Sequence, residues 1–356
     1  MSDASSHPVD RRLVMHMGMN KAGSTSLQIG FVRNRDRLAE YGVHYPPHRS
    51  DAAALRGAPL SGNGPDLRPL LQHELHPAPA EMGRMMDRFL ATILEGPAAT
   101  ILYSSEELYR FDEQCLHEFA EKIRAAGIRL QVVLVVRDVT PYLLSAYSQQ
   151  VRRHRFTGSF WDYVTGEEGT DYPLRHLAYR PKMRALHDVL DTGDLLLVHY
   201  DSARDSLLER FLAGTFGLQD LSGLEVSAGT VNRGLTASEA AVLRQLNTRT
   251  DEDTATVIAW LMQEQPARGA RLAVSAREFR AIEEMYGDDV AWVNAQLFRA
   301  EVLGLAGDVA VLSNDDETRQ PSHDALMEQF TNLAYATHRI FTDRQRLRDL
   351  CMRKPP

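Results

Sequence analysis

Cysteine is nearly absent from this sequence, since Cys115 and Cys351 are the two that occur in 356 residues. Two cysteines so far apart form neither a disulfide framework nor a metal-binding cluster, so the sequence predicts no metal site. Such low cysteine usage is typical of proteins in a reducing compartment, and the cytoplasm is the predicted location.

Long apolar runs and an excess of basic charge are also missing. No run approaches the roughly 20 apolar residues that cross a bilayer, so no membrane span is predicted. The 40 Lys and Arg are outnumbered by 48 Asp and Glu, which gives a net charge of −8. Because a general nucleic-acid binder needs a broad basic surface, nucleic acid is not an expected partner. Residues 1–10 are polar, lack the apolar core of a secretory signal, and are expected to be disordered.

The first half of the chain alternates strand and helix patterns. Strands are predicted at residues 13–17, 100–104, 130–136 and 195–198, with helical patterns between them. This alternation predicts an α/β fold, a three-layer P-loop-like parallel sheet flanked by helices. We expect a single domain over residues 11–356.

Two segments depart from the alternation. Residues 46–80 are rich in Pro, Gly, His and Ala, and are predicted to form a long irregular loop that serves as a lid or shapes an acceptor pocket. Residues 236–350 are predicted to be a mostly helical extension. Thr236 and Glu239 have the spacing of a capping box, which predicts a helix over residues 240–247.

A short loop after the first strand carries the strongest functional signal. Gly18 and Gly23 have the spacing of the nucleotide loop GxxxxGK[ST], but Ser24 stands where that loop has its lysine. The lysine is Lys21, inside the loop. A strand–loop–helix turn directs backbone N–H groups and a helix N-terminus at one point, which suits a phosphate or sulfate. The alternative is a glycine-containing turn that binds nothing.

A second candidate anion site follows the apolar strand 130–136. Arg137 leaves the carboxyl end of that strand, where open α/β sheets bind ligands, and Ser145 lies further along the following helix. A guanidinium and a hydroxyl there can bind a second oxyanion. The alternative is a surface pair between Arg137 and Asp138. Two anion sites on one sheet edge suit a nucleotide with phosphates at both ends.

Several segments together resemble the PAPS-dependent sulfotransferases. Residues 21–27 resemble the 5′-phosphosulfate loop of that family, PKxGTTxL, although Asn20, Ala22 and Ser24 depart from it. Arg137 and Ser145 resemble its 3′-phosphate motif. Residues 103–106 resemble the "SSE" segment of bacterial carbohydrate-type members, and residues 231–235 resemble a late nucleotide-contacting segment.

The resemblance implies a P-loop-like enzyme that uses 3′-phosphoadenosine 5′-phosphosulfate (PAPS) and releases PAP. It would transfer a sulfuryl group to a hydroxyl of a carbohydrate or small-metabolite acceptor. Lys21 would contact the bridging and sulfate oxygens, and Arg137 and Ser145 would hold the 3′-phosphate. The remaining implied cofactor-binding residues are Ala22, Gly23, Ser24, Thr25 and Ser26 at the 5′-phosphate, and Asn232, Arg233 and Gly234 elsewhere on the nucleotide.

Transfer to a hydroxyl needs a general base. Glu106, just past the strand 100–104, is the first candidate, and His44 is the second. The alternative for Glu106 and Glu107 is that they favour the N-terminus of the next helix. His16, inside the first strand, is interpreted as a histidine that is packed in the core or that supports the site residues from behind.

The sequence is also compatible with two other functions. A P-loop kinase or other phosphotransferase would need Mg²⁺ ligands and a lysine after the second glycine. A non-catalytic binding protein could use the same scaffold. No oligomeric state is predicted.

Overall fold

A computed structural model of the protein describes residues 11–19, 21–56, 61–166, 179–225, 234–248 and 270–313. The chain divides into two compact units. The first comprises residues 1–138, 176–231 and 287–304, and the second comprises residues 139–175, 232–286 and 305–356. The predicted single domain over residues 11–356 stays a prediction. The predicted disorder of residues 1–10 and the predicted helices after residue 313 lie outside the described residues.

The first unit is built on a five-stranded parallel sheet with the order β2-β3-β1-β4-β5. Its strands are β1 (Arg11–His16), β2 (Val43–His44), β3 (Thr100–Ser104), β4 (Ile128–Val136) and β5 (Leu195–His199). A parallel sheet flanked by helices is the predicted α/β fold, which is therefore confirmed.

Helices connect the strands and continue after them. They are α1 (Ser24–Arg33), α2 (Arg35–Glu40), α3 (Asp51–Leu55), α4 (Arg68–Leu71), α5 (Pro79–Leu94), α6 (Glu113–Ala125), α7 (Val139–Arg153), α8 (Phe160–Thr165), α9 (Tyr179–Val189), α10 (Tyr200–Ala203), α11 (Leu207–Phe216), α12 (Ala237–Asn247) and α13 (Ala276–Val293). Within the described ranges, no helix is both long and apolar enough to pass through a lipid bilayer.

The sheet register brings the carboxyl ends of three strands to one edge. β1 is central, and its last residue, His16, pairs with Ser104 at the end of β3 and with Val133 of β4. β4 is buried from Leu130 to Val136, as expected for a strand that is covered on both faces. Residues that follow these strands therefore meet at a common edge.

Part of the segment predicted to be an irregular loop is bound to this edge. Asn63 accepts the N–H of Ser104 at 2.7 Å and donates to the carbonyl of Leu102 at 3.1 Å. The N–H of Gly64 donates to the carbonyl of Ser104 at 3.1 Å. The amide side chain thus takes the place of a neighbouring strand, because it offers the donor and the acceptor that a ladder requires. The predicted role of residues 46–80 as a lid or acceptor loop stays a prediction.

The second unit is mostly helical where it is described, with one short parallel pair, β6 (Val274–Ser275) and β7 (Val311–Leu312). Thr236 and Glu239 form the predicted capping box, and α12 begins at Ala237 rather than at residue 240. The helix starts earlier because the Ncap is the residue that precedes the first helical turn.

Gly62 provides a test of how tightly this segment is bound to β3. Gly62 has a φ of +76°, and a Cβ there would lie 1.9 Å from the carbonyl oxygen of Ser104. Gly127 has a similar φ of +71° but nothing within 4 Å of its Cβ position. We expect Gly127→Ala to cost about 1 kcal/mol of unfolding free energy, from the left-handed backbone alone. Gly62→Ala should cost roughly 3 kcal/mol, because the clash adds to the backbone strain. Urea unfolding of both variants measures the difference, and equal losses would contradict it.

Candidate functional site

The loop that joins β1 to α1 turns at two residues with left-handed backbone. Lys21 has a φ of 65° and Gly23 a φ of 81°. The N–H of Ala22 and the hydroxyl of Ser24 both donate to the carbonyl of Met19, each at 3.3 Å. α1 begins immediately after this turn. Its first-turn amides therefore face the loop, which is the arrangement of backbone anion sites.

Two glycines of this loop leave no room for a side chain. A Cβ on Gly18 would lie 2.2 Å from Ser24 Oγ. A Cβ on Gly23 would lie 2.5 Å from Leu207 and 2.7 Å from the ring of Tyr200. The loop backbone is thus packed directly on side chains of the first unit, and this contact restricts its conformation.

The guanidinium of Arg137 connects the loop to the end of β5. Its Nη1 donates to the carbonyl of Lys21 at 3.0 Å, and its Nε donates to Asp201 Oδ1 at 3.3 Å. The guanidinium also lies 5.1 Å from the ring centroid of Tyr200. The hydroxyl of Tyr179 donates to the carbonyl of Arg137. Lys21 and Arg137, both predicted to lie at one sheet edge, are therefore brought into direct contact.

Asp138, His199 and Asp201 form a compact group next to Arg137, with one ligand atom from each within 4.8 Å of the others. Such spacing suits a divalent cation, but these oxygens already have donors. Asp138 Oδ1 lies 3.0 Å from His199 Nε2 and accepts the N–H of Gly304 at 2.6 Å. Asp201 Oδ2 accepts the N–H of Asp138 at 2.9 Å. The group is a hydrogen-bonded, charge-paired network around Arg137.

His16 adjoins the loop from within the sheet and is fully buried. Its Nδ1 lies 2.8 Å from Ser104 Oγ, and its Nε2 lies 3.2 Å from the position of a Cβ on Gly18. Burial lowers the pKa of His16 to about 3. The imidazole is therefore neutral at physiological pH. This confirms the interpretation of His16 as a packed residue.

Glu106 is the first residue of a short 3₁₀ turn, Glu106–Arg110, that follows β3. It is half-exposed and lies just past the sheet edge. Ser105 caps this turn, because its hydroxyl accepts the N–H of Glu107 at 3.2 Å. Glu107 pairs with Arg68 at 3.7 Å and with Arg110 at 3.8 Å. The two neighbouring glutamates thus occupy different surroundings, and Glu107 has a structural role.

His44 lies in a less favourable place for a base. It is paired with Ile101, three positions before the last residue of β3. At about 3.3 Å per residue, His44 lies roughly 10 Å short of the edge where the loop is found. Burial, followed by the nearby Arg35, lowers its pKa. This position favours Glu106 over His44.

The remaining predicted residues are distributed over both units. Thr25 and Ser26 are partly exposed in the first turn of α1. Ser145, on α7, and Gly234 belong to the second unit, and their roles toward a nucleotide stay predictions. Asn20, Asn232 and Arg233 lie outside the described residues.

Sequence reasoning missed His199, Tyr200 and Asp201, which are consecutive at the carboxyl end of β5. A signal for them existed in the sequence. The strand predicted at residues 195–198 runs directly into three residues with polar groups, and the carboxyl end of a parallel strand is where such groups meet a ligand or its supporting residues.

No protein-family model matches the chain, and no curated protein matches it significantly. Among solved structures, it is similar to a sulfotransferase from Alicyclobacillus acidocaldarius, with 14% identity, a TM-score of 0.46, and coverage of 82% of this chain and 97% of that chain. It is also similar to the sulfotransferase domain from the curacin biosynthetic pathway, with 13% identity, a TM-score of 0.35, and coverage of 77% and 97%. Similarities with such low sequence identity and TM-score do not support a conclusion about the function of this chain.

The buried His16 predicts a specific acid sensitivity. The folded state keeps His16 neutral down to a pKa of about 3, whereas the unfolded chain binds a proton near the ordinary value of 6.5. The contribution of His16 to the free energy of unfolding is therefore complete above pH 6.5. It is lost as the pH falls toward 3, at up to about 1.4 kcal/mol per pH unit.

The variant His16→Gln lacks this titration. We expect the stability gap between wild type and His16→Gln to change on acidification from pH 7.5 to 4.5, with wild type losing more in urea unfolding. Parallel pH curves for the two proteins would contradict this expectation.

Proposed function

We propose that this protein is a sulfotransferase that transfers a sulfuryl group from PAPS to a hydroxyl of a carbohydrate or small-metabolite acceptor. The observation that carries the proposal is the contact between the β1–α1 loop and Arg137. The two elements that the sequence predicts to bind anions meet at the carboxyl edge of one parallel sheet.

The chemistry of the loop suits a phosphate. The N-cap of α1 is Gly23, which makes no side-chain cap hydrogen bond, and the helix dipole favours negative charge there. The guanidinium of Arg137 lies beside the same turn. In this proposal Lys21 contacts the bridging and sulfate oxygens, and Arg137 holds the 3′-phosphate. Ser24, at the position of a Walker lysine, is buried and donates to Met19. Its hydroxyl therefore shapes the loop, and the backbone N–H groups are the donors proposed for the 5′-phosphate.

PAPS supplies a sulfuryl group that is activated by its bond to the 5′-phosphate. The acceptor oxygen attacks sulfur as the bond from sulfur to the phosphate oxygen breaks, and PAP leaves. Glu106 takes the proton of the acceptor hydroxyl. Lys21 and the loop amides stabilise the negative charge that develops on the leaving phosphate.

Replacement of Lys21 tests the loop directly. We expect Lys21→Met to lower kcat/KM for PAPS by about 10²-fold, because one donor to a developing charge is removed. Lys122→Met, on the exposed part of α6, is the control and should leave kcat/KM unchanged. The measurement uses radiolabelled PAPS with a panel of carbohydrate and small-molecule hydroxyl acceptors.

Ligand binding to the wild-type protein decides between the candidate functions. Isothermal titration with PAP should show binding, and ATP with Mg²⁺ should not raise the Tm. Stabilisation by ATP with Mg²⁺ but not by PAP would instead favour a phosphotransferase. PAP binding without turnover of any acceptor in the panel would favour a non-catalytic binding protein.

Glu107, the residue after Glu106, provides a matched control for the assignment of Glu106 as the base. Glu106→Gln should lower kcat by roughly 10²- to 10⁴-fold without changing the Kd of PAP, because a general base acts in the chemical step. Glu107→Gln, which weakens pairs with Arg68 and Arg110, should keep the wild-type kcat. Equal kcat values for wild type and Glu106→Gln would remove Glu106 from this role.

A further inference from the structure

The residues directly after β5 form a support for the β1–α1 loop. His199, Tyr200 and Asp201, called here the β5 platform, end that strand and begin α10. None of them was singled out by the sequence, and the proposed chemistry does not use them.

Tyr200 packs between the loop and the guanidinium. Its ring carbon Cε2 lies 2.7 Å from the position that a Cβ on Gly23 would take. The guanidinium carbon of Arg137 lies 5.1 Å from the ring centroid, within cation–π distance. Tyr200 therefore restricts where both the loop backbone and the guanidinium can lie.

Asp201 fixes the orientation of Arg137. Its Oδ1 accepts from Arg137 Nε at 3.3 Å, and its Oδ2 accepts the N–H of Asp138 at 2.9 Å. The side chains of Arg137 and Asp201 are 13% and 17% exposed, so the ion pair is largely shielded from solvent. A shielded carboxylate with one oxygen held by backbone leaves its other oxygen at a defined place for the guanidinium.

Arg137 in turn restricts the backbone conformation of Lys21. Its Nη1 donates to the Lys21 carbonyl at 3.0 Å. Lys21 has a φ of 65°, a conformation that L-residues with a Cβ adopt at an energetic cost. The bond to its carbonyl favours the orientation of the peptide group between Lys21 and Ala22. Without that bond, Lys21 can relax toward an ordinary φ, which would turn the following amides away from the anion site.

We infer that Asp201 is a positioning residue that acts through Arg137 to hold Lys21 in its left-handed conformation and so keeps the loop ready for an anion. The part of this inference that concerns the nucleotide rests on the proposed function. The part that concerns the loop conformation does not, and it can be measured in protein without any nucleotide.

Hydrogen exchange of the free protein tests the positioning. Asp201→Asn replaces a carboxylate oxygen by a donor that opposes Arg137 Nε. We expect the amides of residues 18–27 to exchange about tenfold faster in this variant. Asp194→Asn is the matched control, because Asp194, directly before β5, pairs with Arg129 of β4 at 2.7 Å, at the opposite end of these two strands. It should leave exchange in residues 18–27 as in wild type.

PAP titration of single and double variants then tests the route through Arg137. Asp201→Asn should raise the Kd of PAP about tenfold. In an Arg137→Lys background the same change should have little further effect, because the residue through which it acts is already altered. Asp201→Glu, which restores a carboxylate, should recover part of the affinity and of the exchange protection, whereas a purely structural defect would show no such recovery.

The outcomes separate the two hypotheses. Wild-type exchange in residues 18–27 of Asp201→Asn would overturn the positioning role, whatever the ligand is. Additive effects of Arg137→Lys and Asp201→Asn on PAP binding would also overturn it. Failure of wild-type protein to bind PAP would remove the proposed function, and the exchange result would still decide the positioning role. If Asp201→Asn does not fold, Arg137→Lys alone should raise exchange in the same residues, and its failure to do so counts against the inference.

Discussion

The candidate site depends on one hydrogen bond, from the guanidinium of Arg137 to the carbonyl of Lys21. This bond joins the turn after β1 to the end of β4, and through Asp201 to the end of β5. Lys21 adopts a backbone conformation that is unfavourable for a lysine, and the neighbouring groups stabilise it. Strain of this kind, held by a well-packed support, is common where a loop has to be preorganised for a ligand.

The order of the strands makes this arrangement possible. β1 lies between β3 and β4, and β5 lies beyond β4, all parallel. Their carboxyl ends therefore place the loop, the turn at Glu106, Arg137 and the β5 platform along one edge. Distant parts of the sequence become neighbours because of sheet topology, which is the usual way in which α/β folds build a site.

Sequence reasoning predicted the parts of the structure that leave local signals. The apolar run in β4, the glycine spacing of the loop and the capping box at Thr236 are all visible within a few residues of sequence. The loop 46–80 was harder, because Asn63 substitutes for a strand through side-chain hydrogen bonds to Leu102 and Ser104. No periodicity marks such a substitution.

The β5 platform was missed for a related reason. Asp201 is recognised as part of the site only through its ion pair with Arg137, which is 64 positions away in the sequence. A single acidic residue after a strand is common. Whether it has a role at a site depends on which strand lies beside it in the sheet. The same limit applies to His44, whose distance from the edge follows from the register between β2 and β3.

The shortness of β2 has a consequence for how copies of this chain can associate. An outer strand offers backbone donors and acceptors to any extended segment that approaches it, which is how sheets grow across molecules. β2 has two residues, so on this side the described sheet presents almost no template for such growth. Association on that side would therefore have to use side-chain surfaces, and intermolecular strand addition there is disfavoured by geometry alone.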